Sequence, residues 1–381
     1  MKTSKFLLIS FFLLPLCSLI AQYDYTVSTI LPPGGGVIND GLCLDPNGTL
    51  YGSYWGVFQG VAGQEVLRYR ANGSYDTLAI GFENPNGMTF HNGQVLVASS
   101  GTHIMAIDTA TGDAALFTSI GGVSSVLSVP GADSLVAISF SQNRVYGIGP
   151  DTVISILSSS SLYNGPIGIA IDTLGQLYIA NFNNGRIIRL IDGTPEVFTE
   201  IGGGIAFITY SDGAILATNY ANRRVYRIPI DSAVPEVIAG SGQATLIDGV
   251  GLEAAFEVPN GIIATPSGDT IYISEFETPS LRMIVRTPTV SNNGQPATAA
   301  VHPNIFPIPA NNQLQLEQLD FSVLAKGDLR DANGKVIILL PEDSLRAGQL
   351  DLSNIPSGMY WLTLYDRHGR QISRIQIPIQ K

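Results

Sequence analysis

The sequence predicts an all-β chain in which a six-bladed β-propeller is followed by a small C-terminal Ig-like β-sandwich. Three observations carry that reading. A strand and turn unit recurs six times; runs of Val, Ile, Thr and Tyr are punctuated by turn formers, with 41 Gly and 22 Pro in 381 residues; and the C-terminal stretch changes to a second, non-repeating strand spacing. Only 13% of residues are charged, the makeup of a protein of short strands and tight turns.

Residues 1–21 read as a secretory signal. Lys2 and Lys5 give a basic start, Phe6 to Ile20 an apolar stretch, and Ala21 a small residue at the cleavage point. A membrane anchor is disfavoured, because the stretch is short for a span of ~20 residues and is broken by Pro15. No transmembrane segment is expected once it is removed. Leu16 before Cys17 is a poor match to the small residue that lipoprotein processing prefers. The mature chain then keeps one cysteine, Cys43, inside Gly41-Leu-Cys-Leu44, where it reads as a buried small hydrophobe. A formal charge of −11 argues against nucleic acid as a partner.

The repeats define the central region, residues 22–287. Gly168-Ile-Ala-Ile-Asp172, Gly175, Leu177-Tyr-Ile-Ala-Asn181 and Arg186-Ile-Ile-Arg-Leu190 are matched by Ile205-Ala-Phe-Ile208, Gly213, Ile215-Leu-Ala-Thr-Asn219 and Arg224-Val-Tyr-Arg-Ile228. Related units start near Gly41, Gly87, Val126 and Gly261, at intervals suited to propeller blades. A fourth, outer strand fits most copies, as in Glu236-Val-Ile-Ala239, but the last copy runs into Thr287-Pro288 without one. Tyr25-Thr-Val-Ser-Thr-Ile30 belongs to no blade of its own, and is expected to close the ring as the sixth blade's outer strand, since a closed ring leaves few free sheet edges.

The stretch Asp248-Gly-Val-Gly-Leu-Glu-Ala-Ala-Phe256, Pro259-Asn-Gly-Ile262, Ile271-Tyr-Ile-Ser274 and Leu281-Arg-Met-Ile284 resembles an NHL repeat with its preceding connector. Asn181, Asn219 and Glu275 stand where such repeats usually carry Asp, with Ser99 and Ser139 there in weaker copies.

Residues 288–300 read as a flexible linker, and a second pattern fills residues 301–381. Leu314-Gln-Leu316 alternates, Asp331-Ala-Asn-Gly334 marks a hairpin before Lys335-Val-Ile-Ile-Leu339, and Pro356-Ser-Gly358 leads into Met359-Tyr-Trp-Leu-Thr-Leu364. About seven short strands suit a sandwich. Together with Phe306-Pro-Ile-Pro-Ala-Asn-Asn-Gln-Leu314 and the final Lys381, the order resembles the type A sorting domain of the type IX secretion system, with Ile308 where that family generally has Asn. The resemblance implies a Gram-negative bacterium, cleavage of the signal, contact with the type IX machinery through residues 301–381, and a secreted or cell-surface destination.

Catalytic signatures are sparse. His91, His103, His302 and His368 form no His-x-His or His-Glu-x-x-His pair, and no Gly-x-Ser-x-Gly elbow or phosphate loop occurs. Gly249-Val-Gly-Leu-Glu-Ala254 mimics a dinucleotide fingerprint without the strand-to-helix setting that chemistry needs. A channel ring is what is left: Asp40 and Ser53 in blade one, Asn260 and Glu275 in blade six, and Asn86, Ser99, Ser139, Asn181 and Asn219 elsewhere. That ring is expected to be polar, to hold two carboxylates, and to lack Lys, Arg and His. Asp40, Asn86, Asn260 and Glu275 are candidate metal ligands, oxygen donors suited to one hard cation, calcium or magnesium. The ring also resembles the SMP-30/gluconolactonase group, which implies a divalent ion held by Glu, Asn and Asp and hydrolysis of lactones. The plainer alternative is that these polar side chains satisfy turn backbone groups. Tyr51, Tyr54, Trp55 and Phe58 cluster beside an insertion in blade one. Asn181, Asn219 and Trp55 are candidate ligand contacts. The sequence therefore points to an exported propeller that binds an extracellular protein, glycan or small-molecule ligand; the alternative is a metal-dependent lactonase-like hydrolase.

Overall fold

The computed structural model describes residues 22–33, 38–57, 60–70 and 72–289, and, in the C-terminal region, 304–306, 310, 312–317, 319, 324–331, 335–367 and 371–379. The signal segment, Phe58, residues 290–300, His302, Ile308 and His368 lie outside them.

Middle strands of the blades carry near-continuous apolar runs, and this has a packing cause. Leu135–Ser139, Leu177–Asn181 and Ala214–Asn219 are buried at every residue, because neighbouring blades cover both faces of each sheet. Outer strands lose that cover, and Ile154–Ser159 is exposed at every position but Ser158. Five sheets of four antiparallel strands follow in chain order, running from Leu42 to Ile80, Met88 to Ser119, Val123 to Ser159, Pro166 to Glu200 and Ile205 to Ala239.

Blade six is assembled from both ends of the propeller. Its strands Pro259–Ala264, Thr270–Glu275 and Ser280–Thr289 are joined on the outside by Gln22–Leu31, which pairs Thr26 with Val285 and Val27 with Ile284. A short strand, Gly249–Val250, adds beyond it. The third strand reaches Thr289, so Pro288 and Thr289 belong to the sheet rather than to the linker. Tyr25, Val27, Ile30 and Leu31 are buried by the closure.

The blades approach so closely around the axis that side chains are excluded. A Cβ on Gly41 would lie 2.6 Å from the Asn86 carbonyl oxygen, and one on Gly261 would lie 2.0 Å from that of Asp40. These glycines end the Asp-Gly and Asn-Gly pairs of the repeats, and mark where one blade's backbone meets the next. Hydroxyls bridge the same joints: Ser53 donates to Asn86 O (2.9 Å), Ser124 to Pro166 O (2.8 Å), Ser274 to Asp40 O (2.7 Å), and Thr218 to Asn260 O.

The C-terminal region forms two sheets among the described residues. Asn304–Phe306, Gln313–Glu317 and Gln349–Asp351 make one; Val336–Pro341, Leu324–Asp331, Gly358–Asp366 and Gln371–Ile379 make the other, in that spatial order. Leu314, Leu329, Leu345, Leu362 and Ile377 fill the core between them. A short helix, Glu342–Arg346, interrupts the all-β pattern. Among the described residues no helix is long and apolar enough to cross a membrane.

Candidate functional site

The strand registers place Asp40, Asn86, Ser124, Ile167, Ala206 and Asn260 at equivalent inner positions, one per blade. The ring is polar through blades six, one, two and three. At blades four and five it turns apolar, where Ile167 packs against Ala206 and its neighbours. Asp40 is 3% exposed. Its Oδ1 accepts the Gly41 N–H (2.8 Å) and its Oδ2 lies 3.4 Å from Asn260 Nδ2, which also donates to Asn39 O (2.8 Å). Burial pushes the Asp40 pKa up to about 8 against the smaller opposing pull of those two hydrogen bonds. Asn86 Oδ1 accepts the Gly87 N–H (2.8 Å).

A second set ends the middle strands, and it grips backbone. Ser99 Oγ accepts from Glu83 N–H and donates to Glu83 O; Ser139 donates to Gly121 O (2.7 Å). Asn181 donates to Leu162 O (2.7 Å) and accepts from Asn164 N–H (3.1 Å), and Asn219 donates to Gly202 O (2.8 Å). Each side chain pins the loop that enters its own blade, as buried polar groups must find partners. Asn181 and Asn219 are fully buried, so these candidate contacts underlie the surface rather than form it.

Glu275 belongs to this set but is tied twice. Oε2 accepts the Val258 N–H (2.8 Å), and Oε1 lies 3.3 Å from Arg282 Nη1. Burial raises its pKa to about 7, with Arg282 the chief opposing influence. Arg282 is itself fully buried, donates to Ala255 O and Ile247 O, pairs with Asp248 (2.9 Å) and lies over the Phe256 ring. Arg282 stands off the ring, on the third strand of blade six, and reaches Glu275 from there; the candidate set did not include it. Ser53 is corrected. Its N–H bonds Gly41 O as that of Ala98 bonds Gly87 O, so the blade-one match for Ser99 is Tyr54, one residue on.

Of the residues that follow these strand-end positions the sequence singled out only Trp55, and together they form a partial collar at this end of the propeller. In blades one, three, four, five and six the residue is aromatic: Trp55, Phe140, Phe182, Tyr220 and Phe276; blade two has Ser100. The anchoring repeats as well. Phe140 N–H donates to Gly122 O (2.8 Å), Phe182 to Gly165 O (2.9 Å), Tyr220 to Gly204 O (3.2 Å) and Phe276 to Val258 O (2.9 Å). Gly165 and Gly204 leave room for the rings; a Cβ on Gly204 would lie 1.7 Å from Tyr220. Phe182 stacks on Tyr220 at 4.5 Å and 9°, Phe140 meets Phe182 edge-on at 6.2 Å, and Trp55 lies 5.6 Å from Phe276. Phe140 is 37% exposed and the other four are half-buried. Aligned repeats would have revealed this collar in Phe140, Asn181-Phe182, Asn219-Tyr220 and Glu275-Phe276. Tyr51, by contrast, is core.

Asn39 was also missed. Fully buried, it donates to Gly56 O (2.8 Å) and Phe276 O (3.0 Å) and accepts the Trp55 N–H (2.9 Å), latching blade one to blade six. Below the polar ring the channel holds a cavity of about 190 Å³ lined mainly by apolar residues, among them Leu42, Met88, Val126, Ile169, Phe207 and Ile262. His91 contacts Ser128 (2.8 Å) and Asp133 (3.2 Å), tying blade two to blade three.

Residues 304–378 match the family described as secretion system C-terminal sorting domain, and residues 163–190 match an NHL repeat. The chain is a β-propeller that carries an NHL repeat, followed by a region that matches the secretion sorting domain. That domain indicates export by type IX secretion, to the medium or the cell surface. No curated protein matches the sequence. Among solved structures, an auxiliary nutrient binding protein from Bacteroides thetaiotaomicron shares 14% identity over 70% of this chain and 77% of its own, with a TM-score of 0.58. A gluconolactonase from Xanthomonas campestris shares 15% over 68% and 89%, with 0.53. A PQQ-bound aldose sugar dehydrogenase from Streptomyces coelicolor shares 13% over 70% and 99%, with 0.54. These likenesses show the propeller fold.

Proposed function

We propose that this propeller is an exported binding module whose ligand enters the channel mouth inside the aromatic collar. One observation carries the reading: five of the six blades place a partly exposed aromatic at the same position, four of them anchored by an equivalent backbone hydrogen bond and Trp55 by the Asn39 side chain. Aromatic rings that are not fully covered by their own fold supply rigid apolar area at little entropic cost, and loops held by a rigid scaffold are where binding concentrates. The nutrient binding relative is consistent with such a role. The test is a thermal-shift screen of small ligands against the wild type and Phe182→Ala. Ligands that stabilise only the wild type support the collar; ligands that stabilise both equally contradict it.

A second reading, the divalent-metal-dependent lactonase-like hydrolase, rests on Asp40 beside Asn260 and on the gluconolactonase relative. Asp40 and Asn260 fit a calcium or magnesium ion as oxygen donors, and such an ion would polarise a bound carbonyl. Glu275 does not fit, since its carboxylate is paired with the buried guanidinium of Arg282, which would repel a cation. Among the described residues no group of three or more His, Cys, Asp or Glu stands together. Calorimetric titration with calcium chloride decides: heat that disappears in Asp40→Asn supports this reading, and no heat removes it.

A further inference from the structure

We infer that the arc of the collar over blades three to five takes a neutral saccharide, an inference that rests on the collar being a binding site. The arc joins two kinds of surface. Phe140, Phe182 and Tyr220 form one continuous aromatic patch. The loops that carry Phe140 and Phe182, with the loop entering blade four, expose Ser141, Gln142, Asn164 and Asn183, all uncharged. Asn183 Nδ2 donates to Asn164 Oδ1 (3.0 Å), leaving the Asn183 carbonyl and the Asn164 amide for other partners. Gln142 Oε1 takes the Tyr146 hydroxyl, and its amide faces the Gly121 backbone.

A saccharide matches that pairing point for point. The C–H face of a pyranose is apolar and lies flat on an aromatic ring, while its hydroxyls both donate and accept, as side-chain amides do. A cationic ligand would also use aromatic faces, but it needs opposing charge, and the charged side chain on the loop that carries Tyr220 is itself a cation, Arg223, turned to Glu257 O and Ala221 O. The carboxylates nearest the channel are spoken for: Glu275 by Arg282, and Asp40 buried against Asn260. Exposed Glu83 and Glu277 stand on the entry and exit loops of blades two and six, off this arc. Blade two contributes Ser100 in place of an aromatic, so the collar is broken beside Phe140, which is also its most exposed ring. An extended chain of sugars could leave the mouth through that gap.

The experiment is isothermal titration of the full chain with cellohexaose, xylohexaose, maltohexaose and chitohexaose, and in parallel with choline and with an unstructured acidic and a basic peptide. Phe182→Ala and Phe182→Leu accompany the wild type; the leucine variant keeps apolar volume while removing the ring face. Binding of at least one hexasaccharide, weakened tenfold or more in both variants and unchanged between 50 and 500 mM salt, is the expected result, because a neutral ligand has no charge for salt to screen. Choline or a peptide bound through Phe182, with no saccharide bound, overturns the saccharide and leaves the collar standing. If no probe binds in a Phe182-dependent way, both fall.

Discussion

The joint between blades six and one differs in kind from the joint between blades four and five. At the latter, chain neighbours meet through Ile167, Ala206 and the stacked rings of Phe182 and Tyr220. At the former, segments more than 200 residues apart are fastened by Asn39, Ser274 and Asn260. Arg282 and Glu275 lie on the other face of blade six, the blade-five side, with Ala255, Phe256 and Ile273. Apolar packing suffices where the chain itself keeps two blades adjacent. Closing the ring brings distant segments together, and there buried hydrogen bonds supply directional contacts between the two blades. Asp40 is therefore accounted for by its neighbours at the seam and Glu275 by Arg282, and the surface left over for recognition is the aromatic one.

That contrast can be broken in several ways, the largest first. Deleting residues 22–31 removes the outer strand of blade six and four buried side chains. At about 1.5–3 kcal/mol each, their loss rivals the whole stability of a typical domain, about 5–15 kcal/mol. The shortened chain should fail to give a cooperative melt by circular dichroism, and an unchanged melting temperature would refute the closure. Arg282→Met leaves Glu275 buried without its partner and should cost about 3–5 kcal/mol in urea unfolding. Adding Glu275→Leu should recover only part of it, because the Ala255 and Ile247 carbonyls and the Val258 N–H still lack their partners.

Away from blade six the effects shrink. Asn219→Ala strands the Gly202 carbonyl and should cost about 1–3 kcal/mol. The pH response returns to the seam. Burial holds Asp40 protonated in the folded chain up to about pH 8, against an ordinary value of 3.8. Between those limits the folded state binds more protons than the unfolded one, so stability should fall as pH rises, by at most about 1.4 kcal/mol per pH unit for this group. Asp40→Asn should flatten its share of the slope in denaturation curves from pH 4 to 8. A slope of the opposite sign would mean that Asp40 is held ionised.

Much of this architecture was legible beforehand. Apolar periodicity and recurring Gly and Arg marked the blades, and the unassigned run from Tyr25 to Ile30 lay where a missing outer strand was needed. The site was harder, because sequence shows which residues recur but not which way a side chain turns. Arg282 sits at a strand position filled by Tyr226 in blade five, as the registers show, and only the fold reveals that it reaches Glu275. Asp40 and Asn260 lie side by side, while Glu275 is taken up by Val258 and Arg282. Ser53 was misplaced by one residue, since blade one's middle strand continues to Gly56 and blurs where the repeat unit ends. Of the collar only Trp55 was legible, because Phe140, Phe182, Tyr220 and Phe276 each follow a polar residue that carries the repeat's signature.

The division of labour between the buried polar groups of blade six and the collar is tested most directly by one calorimetric comparison. A neutral hexasaccharide that binds the wild type is titrated into Glu275→Gln and Phe182→Leu, with the melting temperature of each protein recorded alongside. The account predicts that Glu275→Gln melts lower yet keeps its affinity within about twofold, while Phe182→Leu melts nearly unchanged and binds at least tenfold more weakly, or about 1.4 kcal/mol. Loss of binding in Glu275→Gln with full binding in Phe182→Leu would contradict it and return recognition to the Glu275 carboxylate.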